Sequence, residues 1–201
     1  MKMLPSVIAF AAFASASGFS GSAASAPNIE LVYSGVPTPN LSAPPPTQAF
    51  ATWCSSSCFP TTQFPVYDAV SGDKKGMAYV WGKNFAFGAG GSLCFSEFIA
   101  FALKEGDIQV NSGTNGTCGA PIDPALKPPL HANLGALSVV AGGGDGVING
   151  GTGKFKKWVG TFTDRVFVGF GLPTSGVGGI VYYDQLWFSI DGQDGKDKDG
   201  K

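Results

Sequence analysis

Short apolar runs separated by turn-forming residues dominate the chain between positions 63 and 190. In the segment 93–103, the side chains of Leu93, Phe95, Glu97 and Ile99 share one face if the backbone has the two-residue period of a β-strand. A buried helix is the alternative for so apolar a run. Its phenylalanine and isoleucine content, with glycine turns close on both sides, favours a strand.

Similar runs predict further strands at 63–69, 76–87, 108–110, 137–141, 158–170 and 180–190. Glycines at 142–146 interrupt the pattern, and the polar segment 111–129, rich in glycine and proline, is predicted as a loop. These signals give about eight strands at roughly even spacing, with no convincing amphipathic helix. The pattern is typical of an all-β fold, either an up-and-down barrel or a sandwich.

The first 26 residues have the pattern of a secretory signal peptide. Lys2 is the only charged residue before Glu30, an apolar run covers residues 4–13, and small residues continue to Ala26. Cleavage after Ala16 or Ala26 fits the usual small-residue rule. The run is shorter than the roughly 20 residues that span a bilayer, and no other segment is long and apolar enough. We therefore expect a secreted, extracellular protein with no membrane partner.

Composition divides the rest of the chain into three parts. Residues 27–62 hold closely spaced prolines, which predict an extended Pro- and Cys-rich lead-in. Residues 63–190 are predicted as one β-domain, and the charged, glycine-rich tail 191–201 as disordered. Sequons at Asn40 and Asn115 predict N-glycosylation if the host is eukaryotic. The 13 basic and 14 acidic residues leave no basic field for a nucleic-acid partner.

Four cysteines, Cys54, Cys58, Cys94 and Cys118, predict two disulfides in an exported protein. The spacing leaves the pairing open, and we favour Cys54–Cys58 with Cys94–Cys118. A zinc site is the alternative, because the first pair has metal-like spacing. The second pair is widely split and His131 is the only histidine, in a Pro-rich loop that predicts a solvated side chain. We therefore expect no bound metal.

Asp164 and Arg165 are candidate catalytic residues because they lie inside an otherwise apolar strand. Neighbouring residues of a strand point to opposite faces, so the two side chains do not pair directly. Asp164 shares its face with Phe162 and Val166. A carboxyl group buried on that face would have the raised pKa that a general acid needs. The alternative is a surface salt bridge or a subunit contact.

Glu97 is a third catalytic candidate by the same reasoning, since it lies between Phe95 and Ile99 on one strand face. The ligand-binding candidates are Tyr79, Tyr182, Asp184 and Phe162. The tyrosines could offer hydroxyl groups to an oxygenated ligand, although such residues are more often packing residues.

The segment Gly150–Phe155 reads GGTGKF and precedes Gly160 and a strand. Upstream, and in order, are Tyr67-Asp68, a glycine turn at 72–76, and the stretches 94–101 and 106–110. This ordered series, about residues 63 to 170, resembles the dirigent and allene-oxide-cyclase-like barrel superfamily. The GGTG turn alone is a weak motif, so the order of the series carries the resemblance. The lead-in, the insertion at 111–129 and the strand after residue 170 depart from plant members, whose catalytic acids and arginine are not matched here.

The resemblance implies a closed eight-stranded antiparallel barrel, which is just wide enough to hold one small ligand. Plant members are often homotrimers, so we expect a homo-oligomer, either trimer or dimer. Members of the superfamily steer the radical coupling of phenols or the cyclisation of lipid epoxides, reactions that need mainly a shaped apolar pocket. We therefore expect a barrel that guides a small apolar or phenolic ligand without a bound cofactor. The alternative is a non-catalytic extracellular binding, cell-wall or effector protein on the same barrel.

Overall fold

A computed structural model of the chain describes residues 29–39, 48–55, 58, 62–172 and 179–191. The predicted signal peptide, the sequon at Asn40 and most of the predicted tail lie outside the described residues. Within those residues, every helix is too short or too polar to cross a membrane.

The described chain is almost entirely β-structure. Its strands are β1 (Ile29–Gly35), β2 (Thr38–Pro39), β3 (Thr62–Asp68), β4 (Lys74–Phe87), β5 (Leu93–Leu103), β6 (Gly106–Pro121), β7 (Ser138–Gly151), β8 (Gly160–Phe170) and β9 (Ile180–Ile190). Two short helices, α1 (Gln48–Trp53) and α2 (Pro129–Asn133), lie in the connections.

The sheet closes into a barrel. Its strands follow the order β1-β9-β8-β7-β6-β5-β4-β3, all neighbours are antiparallel, and pairing between β1 and β3 completes the circle. The two-residue β2 adds only to the edge of β3. The predicted closed eight-stranded antiparallel barrel is therefore confirmed. A sandwich, the other fold that the strand pattern allowed, is excluded.

Aromatic side chains fill much of the barrel interior. Phe64, Phe101, Phe162 and Phe188 are each 1% exposed or less, and the rings of Phe101 and Phe188 lie 5.9 Å apart between centroids. Each such ring contributes about 1.5–3 kcal/mol to folding through its burial. An eight-stranded barrel can either be filled by its own side chains or hold one small ligand. The described interior is close to the first case.

The first barrel strand lies inside the segment that the sequence predicts as an extended lead-in. β1 pairs with β9 along its whole length and with β3 over three residues, and it buries Leu31 and Tyr33 in the core. The prolines that predict irregular structure begin only at Pro37, after this strand ends. The described barrel therefore includes a strand from Ile29, well before the predicted start of the β-domain at residue 63.

Two predicted interruptions are also strands. The predicted loop at 111–129 belongs to β6 as far as Pro121, with a register shift between Ser112 and Thr117, and β7 runs through the glycines at 142–146. At Gly144 a Cβ atom would lie 2.7 Å from the carbonyl oxygen of Gly116 on the neighbouring strand. Glycine therefore permits a close approach of β6 and β7 here, and it does not end the strand.

Both favoured disulfides are present, Cys54–Cys58 and Cys94–Cys118. Cys94 and Cys118 occupy directly opposed positions of β5 and β6, so the bond ties two neighbouring barrel strands together. All four cysteines are consumed, which removes the alternative of a cysteine zinc site. Disulfides of this kind are typical of oxidising compartments.

Candidate functional site

Three acidic side chains from three strands meet inside the barrel. Glu97 comes from β5, Asp164 from β8 and Asp184 from β9, and one carboxylate oxygen from each lies within 4.8 Å of the others. Their exposed fractions are 1%, 8% and 0%. We call these three residues the carboxylate cluster. The sequence identifies each of them as a candidate, and the structure shows that they form one group.

Strand pairing explains how the cluster assembles. Val166 of β8 is opposite Asp184 of β9, so Asp164 lies two positions along the same face of the neighbouring strand. Such diagonal neighbours are close enough for long side chains to meet. Glu97 reaches them from β5, which is separated from β8 by β6 and β7. Closure of the barrel therefore brings the third carboxylate to the other two.

Asp164 is the best-satisfied member of the cluster. The Thr117 hydroxyl donates a hydrogen bond to its Oδ2 at 3.0 Å, and the backbone N–H of Gly144 donates to its Oδ1. Burial raises the pKa of Asp164, while these two hydrogen bonds oppose the increase.

Glu97 and Asp184 are less well satisfied. The Tyr33 hydroxyl donates to Glu97 Oε2 at 3.2 Å. Glu97 Oε1 and both carboxylate oxygens of Asp184 are buried and have no hydrogen-bond partner. A buried polar atom without a partner costs free energy, so these three oxygens call for an explanation.

The electrostatics of the cluster favour protonated carboxyl groups. Burial, followed by repulsion from the neighbouring carboxylates, raises the pKa of Glu97 and of Asp184 well above the ordinary values. The pKa of the Tyr33 phenol is likewise raised well above its usual value by burial and by these acids. Among the described residues, no lysine or arginine is buried. No buried side-chain cation therefore compensates the three carboxylates.

The other candidate residues divide between the two faces of the barrel. Phe162 and Tyr182 are inside, packed in the same core as the cluster, and burial raises the pKa of Tyr182. Arg165 is exposed, with its guanidinium carbon 6.0 Å from the ring centroid of Trp187. Tyr79 packs on the outer face beside Trp81, beneath α1. The structure therefore does not place Arg165 or Tyr79 with the interior candidates.

His131 is not the solvated loop residue that the sequence predicts. It lies on α2 and is fully buried, with its Nε2 3.1 Å from the carbonyl oxygen of Phe167 on β8. Its Nδ1 has no partner, and burial lowers its pKa. The prediction is wrong because a five-residue helix packs this part of the Pro-rich connection against the barrel wall.

Sequence analysis missed Tyr33 and Thr117, which both donate to the cluster. Tyr33 lies in the unrecognised strand β1, and Thr117 lies in the segment predicted as a loop. The short apolar run Leu31–Tyr33, between Glu30 and Ser34, was the available signal for a strand at this position. No local pattern marks Thr117.

Comparison with known proteins does not assign a family. The chain matches no protein-family model and no curated protein. The resemblance to dirigent and allene-oxide-cyclase-like barrels therefore depends on the sequence motifs alone. Any function has to be argued from the barrel and its carboxylate cluster.

Proposed function

We propose that this protein is an exported barrel of the dirigent or cyclase type. It binds a small apolar, oxygenated molecule in its interior and steers the coupling or cyclisation of that molecule. The carboxylate cluster, set among aromatic side chains, is the observation that supports the proposal. Buried acids without a cation partner cost stability, because the carboxyl group loses its hydration without compensation. Strongly perturbed acids are instead common at functional sites.

In this proposal the residues have different roles, which follow from their side-chain chemistry. A protonated Glu97 or Asp184 donates a hydrogen bond or a proton to an oxygen atom of the ligand, such as a phenol, carbonyl or epoxide oxygen. Asp164, held by two donors, keeps its orientation during this step. Phe162 and Tyr182 form walls that restrict the ligand to a few conformers, which contributes to rate through orientation. In a coupling reaction the oxidant comes from a separate enzyme.

The packing of the interior supports a second candidate function. The described barrel is closely filled by its own aromatic rings, and an open cavity of about 460 Å³ at one barrel end is lined by other residues, including Lys75 and Glu105. A ligand in the interior therefore has to displace side chains. If it does not bind there, the barrel is a non-catalytic extracellular or cell-wall protein that uses its outer surface. Exposed Phe87, 72% accessible, belongs to that surface.

Ligand binding and product analysis separate the two functions. We expect native mass spectrometry of the secreted protein to show one bound small molecule per chain. With methoxyphenols and an external one-electron oxidant, or with a fatty-acid epoxide, the products should show an excess of one stereoisomer. The double variant Glu97→Gln, Asp184→Asn should lose this excess, whereas Asp73→Asn, which changes an exposed acid in the β3–β4 turn, should keep it. Racemic products with the unmodified protein, and no bound molecule, would favour the non-catalytic barrel.

Export, glycosylation and assembly belong to the same proposal. The intact mass of protein collected from the medium shows whether residues 1–26 are removed and whether Asn40 and Asn115 carry glycans. Light scattering of the same sample distinguishes a trimer or dimer from a monomer.

A further inference from the structure

The carboxylate cluster has a second possible occupant besides protons. It combines three acidic side chains with three buried oxygen atoms that lack a hydrogen bond of normal geometry, Glu97 Oε1 and both oxygens of Asp184. These oxygens are buried within the barrel, beside the carboxylate of Asp164. Unpartnered oxygens in a concentrated negative group are the donors that a cation binds.

The donor atoms determine which cation fits. All three side chains offer oxygen, and the hydroxyl groups of Tyr33 and Thr117 lie within hydrogen-bonding distance of the cluster. Nitrogen and sulfur ligands are absent from the group. An all-oxygen set selects hard cations such as calcium, magnesium or manganese over zinc or copper.

The spacing of the oxygens is compatible with the larger of these ions, and magnesium, which usually keeps several waters, suits a buried protein cluster less well. Calcium binds oxygen at about 2.3–2.6 Å, so two ligands on opposite sides of the ion can be about 4.6–5.2 Å apart. Magnesium, at about 2.0–2.1 Å, allows at most about 4.2 Å. One oxygen from each of the three carboxylates lies within 4.8 Å of the others, which is within the span that calcium ligands allow.

We propose that Glu97, Asp164 and Asp184 bind one calcium ion inside the barrel. The ion balances two of the three negative charges, and the unpartnered oxygens coordinate it. No sequence motif indicates this site, because its ligands lie on three different strands, at positions 97, 164 and 184. The proposal goes beyond the proposed function, since a calcium ion could serve either a catalytic or a non-catalytic barrel.

Calcium and protons compete for the same oxygens. Calcium binds the ionised carboxylates, so protons have to be released on binding. For each proton released, calcium affinity falls by about tenfold when the pH is lowered by one unit. The ionisable groups that face the ion are the three acids, with Tyr33 and Tyr182 beside them. The acid chemistry of the proposed function belongs to the calcium-free protein, and calcium binding is measured without any organic ligand. Either proposal can therefore fail alone.

The test uses the full secreted protein after EDTA treatment and dialysis. Isothermal titration with calcium at pH 7.5 should show one site per chain, and calcium should raise the unfolding temperature in a saturable manner. Terbium, which replaces calcium, should emit when Tyr33 is excited, because the Tyr33 hydroxyl contacts a ligand residue. At pH 5 the affinities for calcium and for terbium should each be more than about tenfold lower than at pH 7.5.

Variants make the result specific. Asp184→Asn should weaken calcium binding by at least about tenfold, since it removes a charged ligand. It should unfold in EDTA at the same temperature as the unmodified protein or higher, which shows that the fold is intact. Asp73→Asn, an exposed acid away from the cluster, should bind normally. Absence of saturable binding at pH 7.5, or equal binding by Asp184→Asn, would overturn the proposal.

Discussion

Replacing Asp184 with asparagine should stabilise the protein increasingly as the pH rises. The folded pKa of Asp184 is far above its unfolded value of 3.8 because the group is buried beside other acids. Above about pH 4 the native state therefore binds more protons at this position than the unfolded state. The stability contributed by this proton is complete at low pH and is lost as the pH rises towards the folded pKa. Asparagine has no such proton.

The magnitude follows from one proton. A full difference of one bound proton changes the free energy of unfolding by about 1.4 kcal/mol per pH unit. Between pH 5 and pH 7 the advantage of Asp184→Asn should therefore grow by about 2.7 kcal/mol, as long as the native carboxyl stays protonated. Distant titrating groups such as His131 are common to both proteins and cancel in the difference, whereas Glu97 loses the repulsion from Asp184 that raises its pKa in the unmodified protein.

Urea unfolding followed by tryptophan fluorescence measures this difference, at several pH values between 5 and 7 and with EDTA present to remove calcium. The Asp73→Asn variant, a substitution at an exposed position, is measured alongside as a control for the substitution itself. A stability difference between Asp184→Asn and the unmodified protein that is independent of pH would refute the reasoning. It would mean that Asp184 ionises in the native state as freely as in the unfolded chain.

Three further predictions concern the barrel wall. Replacing Cys94 and Cys118 with alanine opens a disulfide between residues 24 positions apart and should cost roughly 3 kcal/mol in urea unfolding; a loss below about 1 kcal/mol would show that β5–β6 pairing suffices. Gly144→Ala should destabilise the protein by about 1–3 kcal/mol, because the new Cβ would lie 2.7 Å from the Gly116 carbonyl oxygen; an unchanged melting temperature would contradict this close approach. Because burial lowers the folded pKa of His131 below its usual 6.5, the protein should lose stability relative to His131→Phe as the pH falls from 6.5 to 5. Parallel stability curves would show that His131 is solvated.

Most barrel strands could be predicted because their signals are local. Each signal is contained in about ten residues, as in the alternation of β5 and the apolar run of β9. The same alternation predicts that Asp164 and Arg165 point to opposite faces, and Asp164 proves to be the buried one. β1 was missed because it is a seven-residue strand next to a proline-rich segment. The glycines of β7 predict a break when the chain is considered locally. Their close packing against β6 involves residues distant in the sequence, which no local pattern shows.

The assembly of the cluster could not be predicted from one strand at a time. Its geometry depends on the register of β8 against β9 and on the closure that brings β5 opposite them. Irregular pairing of β5 with β6 between Phe95 and Phe98 further changes the position of Glu97. Each residue could be selected from its apolar face, but their proximity is a property of the closed sheet.

The pairing of the first described strand with the last determines when this barrel can form. Residues 29–35 meet residues 182–188, so the circle stays open until nearly the whole described chain has been synthesised. A chain that emerges N-terminus first from the ribosome therefore cannot complete this fold before β9 is available. Contacts of such long sequence separation also slow folding. Until β9 is available, the sheet has two open edges, at β1 and at β8.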